Sequence, residues 1–203
     1  MFGHLRTKDR QLFAQLAGIT SRLSHSTALL ARLLDGPHAA AAPQAVHPGV
    51  LNGVLHARDD VHTFTAFAMR MDRMEYRDLA LALDAAASAV WDATVQASEL
   101  HATGTEPRAR ELAALLGDAA GALHEAVPHV GRDPAIVHRY CTNVREHADA
   151  GAALYYAGVE RLVAQSTNAV ETLRAKQISD VLLNALDGCA RTAVVLDRLR
   201  WAD

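Results

Sequence analysis

The stretch VLNGVLHARDDVHTFTAFAMRM, residues 50–71, decides the fold class of this chain. Its apolar residues recur at alternating spacings of four and three, which places them on one face of an α-helix and is typical of the seam of a helical bundle. The members of this seam are Val50, Val54, Ala57, Val61, Phe64, Ala68 and Met71. A half-buried strand would instead alternate apolar and polar residues with a period of two. The stretch therefore predicts an amphipathic helix within a bundle.

Glycines, prolines and polar runs divide the rest of the chain into comparable segments. They predict six helices, over residues 8–35, 49–72, 75–103, 107–127, 134–164 and 169–201. Half of the 203 residues are hydrophobic but only 5% are aromatic, so the helices are expected to pack closely through small side chains. The sequence predicts an all-α, up-and-down six-helix bundle and excludes an all-β fold.

Helices three and six each carry a second apolar strip, roughly opposite the main seam. The strips are Leu81, Trp91 and Val95 on helix three, and Leu183, Ala190 and Val194 on helix six. Asp84 and Asp187 occupy matching places on these strips. The match predicts one domain, residues 1–203, made of two three-helix repeats, about 1–104 and about 105–203. A helix that is apolar on two sides is sandwiched, either in the middle of the bundle or under a partner subunit, which makes a homodimer one expectation.

Composition and motifs exclude several classes of function. The chain has 20 basic and 23 acidic residues and no basic block, so no nucleic-acid partner is expected. No stretch is apolar enough to cross a bilayer, and the start lacks the apolar core of a signal peptide, which predicts a cytoplasmic protein. Cys141 and Cys189 stand in no metal-ligand spacing and are expected to be reduced, packed thiols. The Gly-x-Ser-x-Gly and Glu-x-x-His patterns are absent, which disfavours a serine hydrolase and a di-iron enzyme.

Three stretches carry a resemblance to a known family. They are MFGHLRTKDRQLFAQL at residues 1–16, EYRDLALALD at 75–84, and ETLRAKQISDVLLNALDGCARTAVVLDRL at 171–199. Together they resemble the PhoU-related regulators of phosphate transport, in particular the branch found with Pit-type inorganic phosphate transporters. The resemblance implies two three-helix repeats and a non-catalytic regulator or accessory protein. It also implies action at the cytoplasmic face of a phosphate transporter, peripheral to the inner membrane, through contact with the membrane protein only.

The same resemblance implies metal binding, because many relatives carry carboxylates one turn apart on one helix that face acidic residues of the next. Such oxygen-rich clusters suit hard cations or iron. The matching positions here are His56, Asp60 and Asp84 in the first repeat and His147, Asp149 and Asp187 in the second. His56 and Arg145 stand where the leading carboxylates would be. We therefore expect no resident cofactor and no tightly bound multinuclear cluster.

Three hypotheses follow from the sequence. The first is the regulator of phosphate transport. The second is a helical-bundle protein whose carboxylate and histidine half-sites bind a divalent or iron ion. The third is a structural protein that assembles through the second apolar strips of helices three and six.

Overall fold

The structure is a computed structural model that describes residues 7–35, 48–71, 73–100, 107–165 and 169–199. These residues form six α-helices and one short 3-10 turn, Val127–His129, and they contain no strand. The helices are α1 (Thr7–Asp35), α2 (Pro48–Ala68), α3 (Met74–Leu100), α4 (Pro107–Ala126), α5 (Pro134–Gln165) and α6 (Ala169–Arg198). The predicted all-α class and the number of helices are confirmed within these residues. The predicted helix ends at 103 and 201 lie outside the described residues.

The turn between α4 and α5 is specified by local sequence. Gly131 has φ 73°, a left-handed conformation that glycine adopts without a steric penalty. Pro134 occupies the first helical position of α5, where its missing N–H is not needed. The carboxylate of Asp133 accepts hydrogen bonds from the backbone N–H groups of Ala135 and Ile136, both at 3.1 Å. These features cap α5 and reverse the chain within a few residues.

Helix α2 ends at Ala68, four residues before the predicted end at 72. The backbone N–H of Arg70 bonds the carbonyl of Phe67, and that of Met71 bonds the carbonyl of Ala68, so the last turn tightens. Arg77 of α3 donates from Nε to the carbonyl oxygen of Met71 at 3.0 Å. A side chain from the next helix thus fixes this turn, which helical periodicity alone does not predict.

The six helices can be described as two groups in chain order, α1–α3 and α4–α6. Within each group every helix contacts the other two, and the groups meet through α1 against α4 and α3 against α6. The α2 seam enters the core as predicted. Five of its members are buried, namely Val54, Ala57, Val61, Phe64 and Ala68, whereas Val50 and Met71 are half-buried.

Helices α3 and α6 approach each other very closely where they cross. A Cβ atom built on Gly188 would lie 2.7 Å from the Cα and 2.9 Å from the Cβ of Ala86. Real Cβ atoms do not approach other heavy atoms so closely, so this crossing requires glycine at residue 188. The α3–α6 contact is thus one of the joints that hold the two groups together.

Both cysteines are buried and free, as the sequence predicts. Burial raises the pKa of the Cys189 thiol from 9.0 to about 12. Burial, together with the nearby Asp197 carboxylate, raises the pKa of Cys141 to about 12 against the opposing effect of Arg145. Between pH 9 and about 12 the unfolded chain has lost these protons and the folded chain retains them. The free energy of unfolding therefore falls as the pH rises through that window.

Candidate functional site

An open groove of about 740 Å³ runs along the outer face of α6. Helices α3 and α5 both pack against α6, and no contact joins α3 to α5 among the described residues. Helix α6 therefore forms the floor of the groove, and α3 and α5 form its two walls. The lining residues are Asp78, Leu81, Ala82 and Ala85 of α3, Arg145, Ala148, Asp149 and Ala152 of α5, and Asp187, Ala190, Arg191, Val194 and Val195 of α6.

Helical periodicity explains why these residues meet. On each helix the lining set includes residues at spacings i, i+3, i+4 and i+7, beginning at Asp78, Arg145 and Asp187 respectively. Residues at these spacings share one helix face. Each set combines small or branched apolar side chains with one or two charges. The groove consequently has an apolar lining, mostly alanine and valine, with charged groups set into it.

The strips predicted on helices three and six divide between this groove and the core. Leu81 is half exposed and lines the groove together with Ala190 and Val194. Trp91, by contrast, is partly buried and packs against the hydrophobic core. Ten residues separate Leu81 from Trp91, which amounts to a rotation of about 80° around the helix axis at 100° per residue. The predicted apolar surface therefore includes Leu81, Ala190 and Val194, but it does not extend to Trp91.

The charges in the groove are unequally paired. Nη1 of Arg145 lies 3.2 Å from Oδ2 of Asp197, whose carboxylate also lies 3.0 Å from Nδ1 of His138. By contrast, four lining side chains make no hydrogen bond or ion pair with another described residue. They are those of Asp78, Asp149, Asp187 and Arg191. Three carboxylates and one guanidinium thus remain available to a ligand. The groove carries an excess of negative charge.

The metal-ligand set predicted for the first repeat is not brought together as expected. Asp60 pairs with Arg22 of α1. Asp84 pairs with His62, whose Nδ1 lies 2.6 Å from Oδ1 of the carboxylate. His56 is exposed on α2. His62, not His56, is therefore the histidine that faces Asp84, and the sequence interpretation missed it.

The His62 contact depends on the register between α2 and α3. Oγ1 of Thr65 donates to the carbonyl oxygen of Ala80, which fixes the register of these two antiparallel helices. Moving about one turn back along α2 and one turn forward along α3 leads from that contact to His62 and Asp84. The sequence alone does not give this register, because α2 ends in a turn set by Arg77.

In the second repeat the structure brings two of the three predicted ligands into one site. Asp149 and Asp187 both line the groove, whereas His147 is half-buried on α5 and does not line it. Within the described ranges, no three side chains of the His, Cys, Asp and Glu types come together as a metal site. The ligand set remains a prediction.

Comparisons with known proteins give no family for this chain: no protein-family model matches it, and neither does any curated protein. None of the described helices has both the length and the apolar character needed to span a membrane.

Proposed function

We propose that this chain is a non-catalytic regulator or accessory protein of inorganic phosphate transport that acts on the cytoplasmic face of a Pit-type transporter. The resemblance of residues 1–16, 75–84 and 171–199 to PhoU-related regulators suggests this role. The helix packing supports the two-repeat architecture that the resemblance implies. The two groups, α1–α3 and α4–α6, meet through helices that hold equivalent places in each group, α1 with α4 and α3 with α6.

The observation that carries the proposal is the groove along α6. Its volume, about 740 Å³, lies within the range of known ligand-binding pockets. The groove combines an apolar lining with unpaired carboxylates. Such a surface suits the recognition of another molecule by shape and charge. A regulator that acts by contact needs a surface of this kind.

Phosphate uptake provides the test. Cells that lack this chain should take up radiolabelled phosphate at an altered rate, and the wild-type gene should restore the original rate. Sulfate uptake serves as the control, because a general loss of membrane energy would change both. Unchanged phosphate uptake, over a range of external phosphate concentrations, would contradict the proposal.

The second candidate function is metal binding, and the observation that favours it is the presence of Asp149 and Asp187 in one groove without protein partners. Two carboxylates offer oxygen ligands to a hard divalent ion, but such ions take about six or more ligands, and among the described residues no third His, Cys, Asp or Glu joins these two as a metal site. We therefore expect protein purified without chelator to contain no tightly bound multinuclear cluster. Near-stoichiometric iron in elemental analysis, lost in Asp149→Ala, would favour this second function instead.

A further inference from the structure

We propose that the groove along α6 binds a basic amphipathic helix, contributed by a cytoplasmic segment of the transporter. This inference rests on the proposed function and specifies which surface of the chain makes the contact and what kind of segment it accepts. The proposed ligand is a helix with a small apolar face that is flanked by lysine or arginine.

The length of the groove matches about two turns of a helix. The floor residues of α6 extend from Asp187 to Val195, which corresponds to about 12 Å at 1.5 Å per residue. The same face of α3 continues one turn before Asp78 to Met74, which is 69% exposed, and that of α5 continues one turn after Ala152 to Tyr156, which is 64% exposed. Large apolar side chains therefore extend the lined region along both walls.

The lining itself allows close packing. Five of the thirteen lining residues are alanines, whose short side chains leave room for another helix to approach. Leu81 projects from the α3 wall with half of its surface exposed. Helices packed through small side chains approach to the short end of the usual range of about 8–10 Å. An apolar helix face laid along α6 would cover Leu81, which is half exposed, and Val194, which is half-buried.

The unpaired charges of the groove favour a basic helix over a neutral or acidic one. Asp78, Asp149 and Asp187 have no partner among the described residues, Arg145 is already bonded to Asp197, and only Arg191 remains as an unpaired cation. Cytoplasmic segments of membrane proteins carry an excess of lysine and arginine. The groove and such segments are therefore complementary in charge.

The same charges disfavour a second copy of this chain as the occupant. In a two-fold symmetric dimer the same patch of both subunits meets itself. Dimerisation through the groove would bring two negatively charged surfaces together, because each copy presents three unpaired carboxylates and one unpaired guanidinium. Like charges across an interface suppress association.

The test uses the full chain and two labelled synthetic peptides of 18 residues. Both peptides carry the same leucine and alanine face; one is flanked by lysines and the other by glutamates at the same positions. Fluorescence anisotropy measures their affinity in low and moderate salt. We expect the lysine peptide to bind, to gain helicity by circular dichroism, and to weaken with added salt, whereas the glutamate peptide should bind at least tenfold more weakly.

Groove variants locate the binding site. The double substitution Asp149→Asn with Asp187→Asn should weaken binding of the lysine peptide about fivefold, as expected for the loss of two partly exposed charge pairs. The matched control, Asp118→Asn with Glu125→Gln, changes two exposed acids of α4 outside the groove and should leave affinity unchanged.

A second pair of variants tests the apolar contact. Leu81→Asn removes the apolar contact without adding a charge and should weaken binding about tenfold. Leu173→Asn makes the same change at a leucine that is 65% exposed, against 50% for Leu81, and that lies 14 residues or about 21 Å before Asp187 on α6; it should have no effect. Circular dichroism and thermal unfolding establish that both variants retain the fold.

Several results would overturn the inference. They are equal binding of the two peptides, no binding of the lysine peptide, or binding that Leu81→Asn leaves unchanged. A wild-type dimer in light scattering that Leu81→Asn dissociates would assign the groove to a second copy. If phosphate uptake depends on the chain but the groove variants leave peptide binding unaffected, the inference fails and the proposed function stands. If peptide binding behaves as expected but uptake is independent of the chain, the groove is a helix-binding site with another function.

Discussion

The close crossing of α3 and α6 leads to a quantitative prediction for the substitution Gly188→Ala. The added methyl group would lie 2.7 Å from the Cα and 2.9 Å from both the Cβ and the backbone N of Ala86. Two of these three atoms belong to the backbone, so no change of rotamer relieves the clash. The two helices must separate at the joint between the two helical groups.

The magnitude follows from two opposing terms. Overpacking a core typically costs about 1–3 kcal/mol, and the rigid backbone neighbour favours the upper half of that range. Alanine in place of glycine within a helix returns about 0.5–1 kcal/mol. The net loss in the free energy of unfolding is therefore about 1–2.5 kcal/mol, which for a chain of this length corresponds to a decrease in Tm of roughly 2–10 °C.

Gly117→Ala is the matched control. Gly117 lies within α4, and a Cβ atom built there meets nothing within 4 Å. This variant should gain about 0.5–1 kcal/mol from helix propensity alone. Urea and thermal unfolding, followed by circular dichroism, measure both variants. If Gly188→Ala proved as stable as Gly117→Ala, α3 and α6 would not cross as closely as described, and the reasoning would be refuted.

Three further predictions concern side-chain chemistry. Cys189→Ala should reduce the decline in the free energy of unfolding above pH 9 by up to about 1.4 kcal/mol per pH unit, measured by urea unfolding across pH; an unchanged slope would contradict the raised pKa of this thiol. Tyr155→Phe removes the hydrogen bond that the phenol donates to Asp180 at 2.5 Å, and should lower stability by about 0.5–1 kcal/mol, with no loss disproving the contact. Asp133→Ala should cost about 1 kcal/mol by removing the cap of α5, whereas Asp133→Asn should retain most of it; equal losses in the two would exclude capping as the cause.

The sequence predicts the helices well because their signals are local. Prolines at the first positions of α4 and α5, and the 3.6-residue periodicity of α2, act within a few residues of the elements that they define. The end of α2 was predicted four residues too late, because a donor from α3, Arg77, binds the carbonyl of Met71. Such a contact depends on the helical hairpin already being formed.

The candidate site was only partly predictable for a related reason. Asp187 was placed on the second apolar strip of helix six and Asp149 was named only as a candidate ligand, and both line the groove. Their neighbour Asp78 was not selected, because its side chain becomes part of the site only through the packing of α3 against α6. The pairing of Asp84 with His62 likewise depends on the register between two helices, which no spacing within either helix records.

The position of the groove in the chain has a consequence for protein synthesis. One wall comes from α3, and the other wall and the floor come from α5 and α6, so the surface combines residues 78–85 with residues 145–195. A ribosome that has translated only the first helical group has made one wall and none of the floor. The groove arises only when α6, the last of the described helices, has emerged and joined α3. A partner that recognises this groove would thus ignore chains in which α6 has not yet been made.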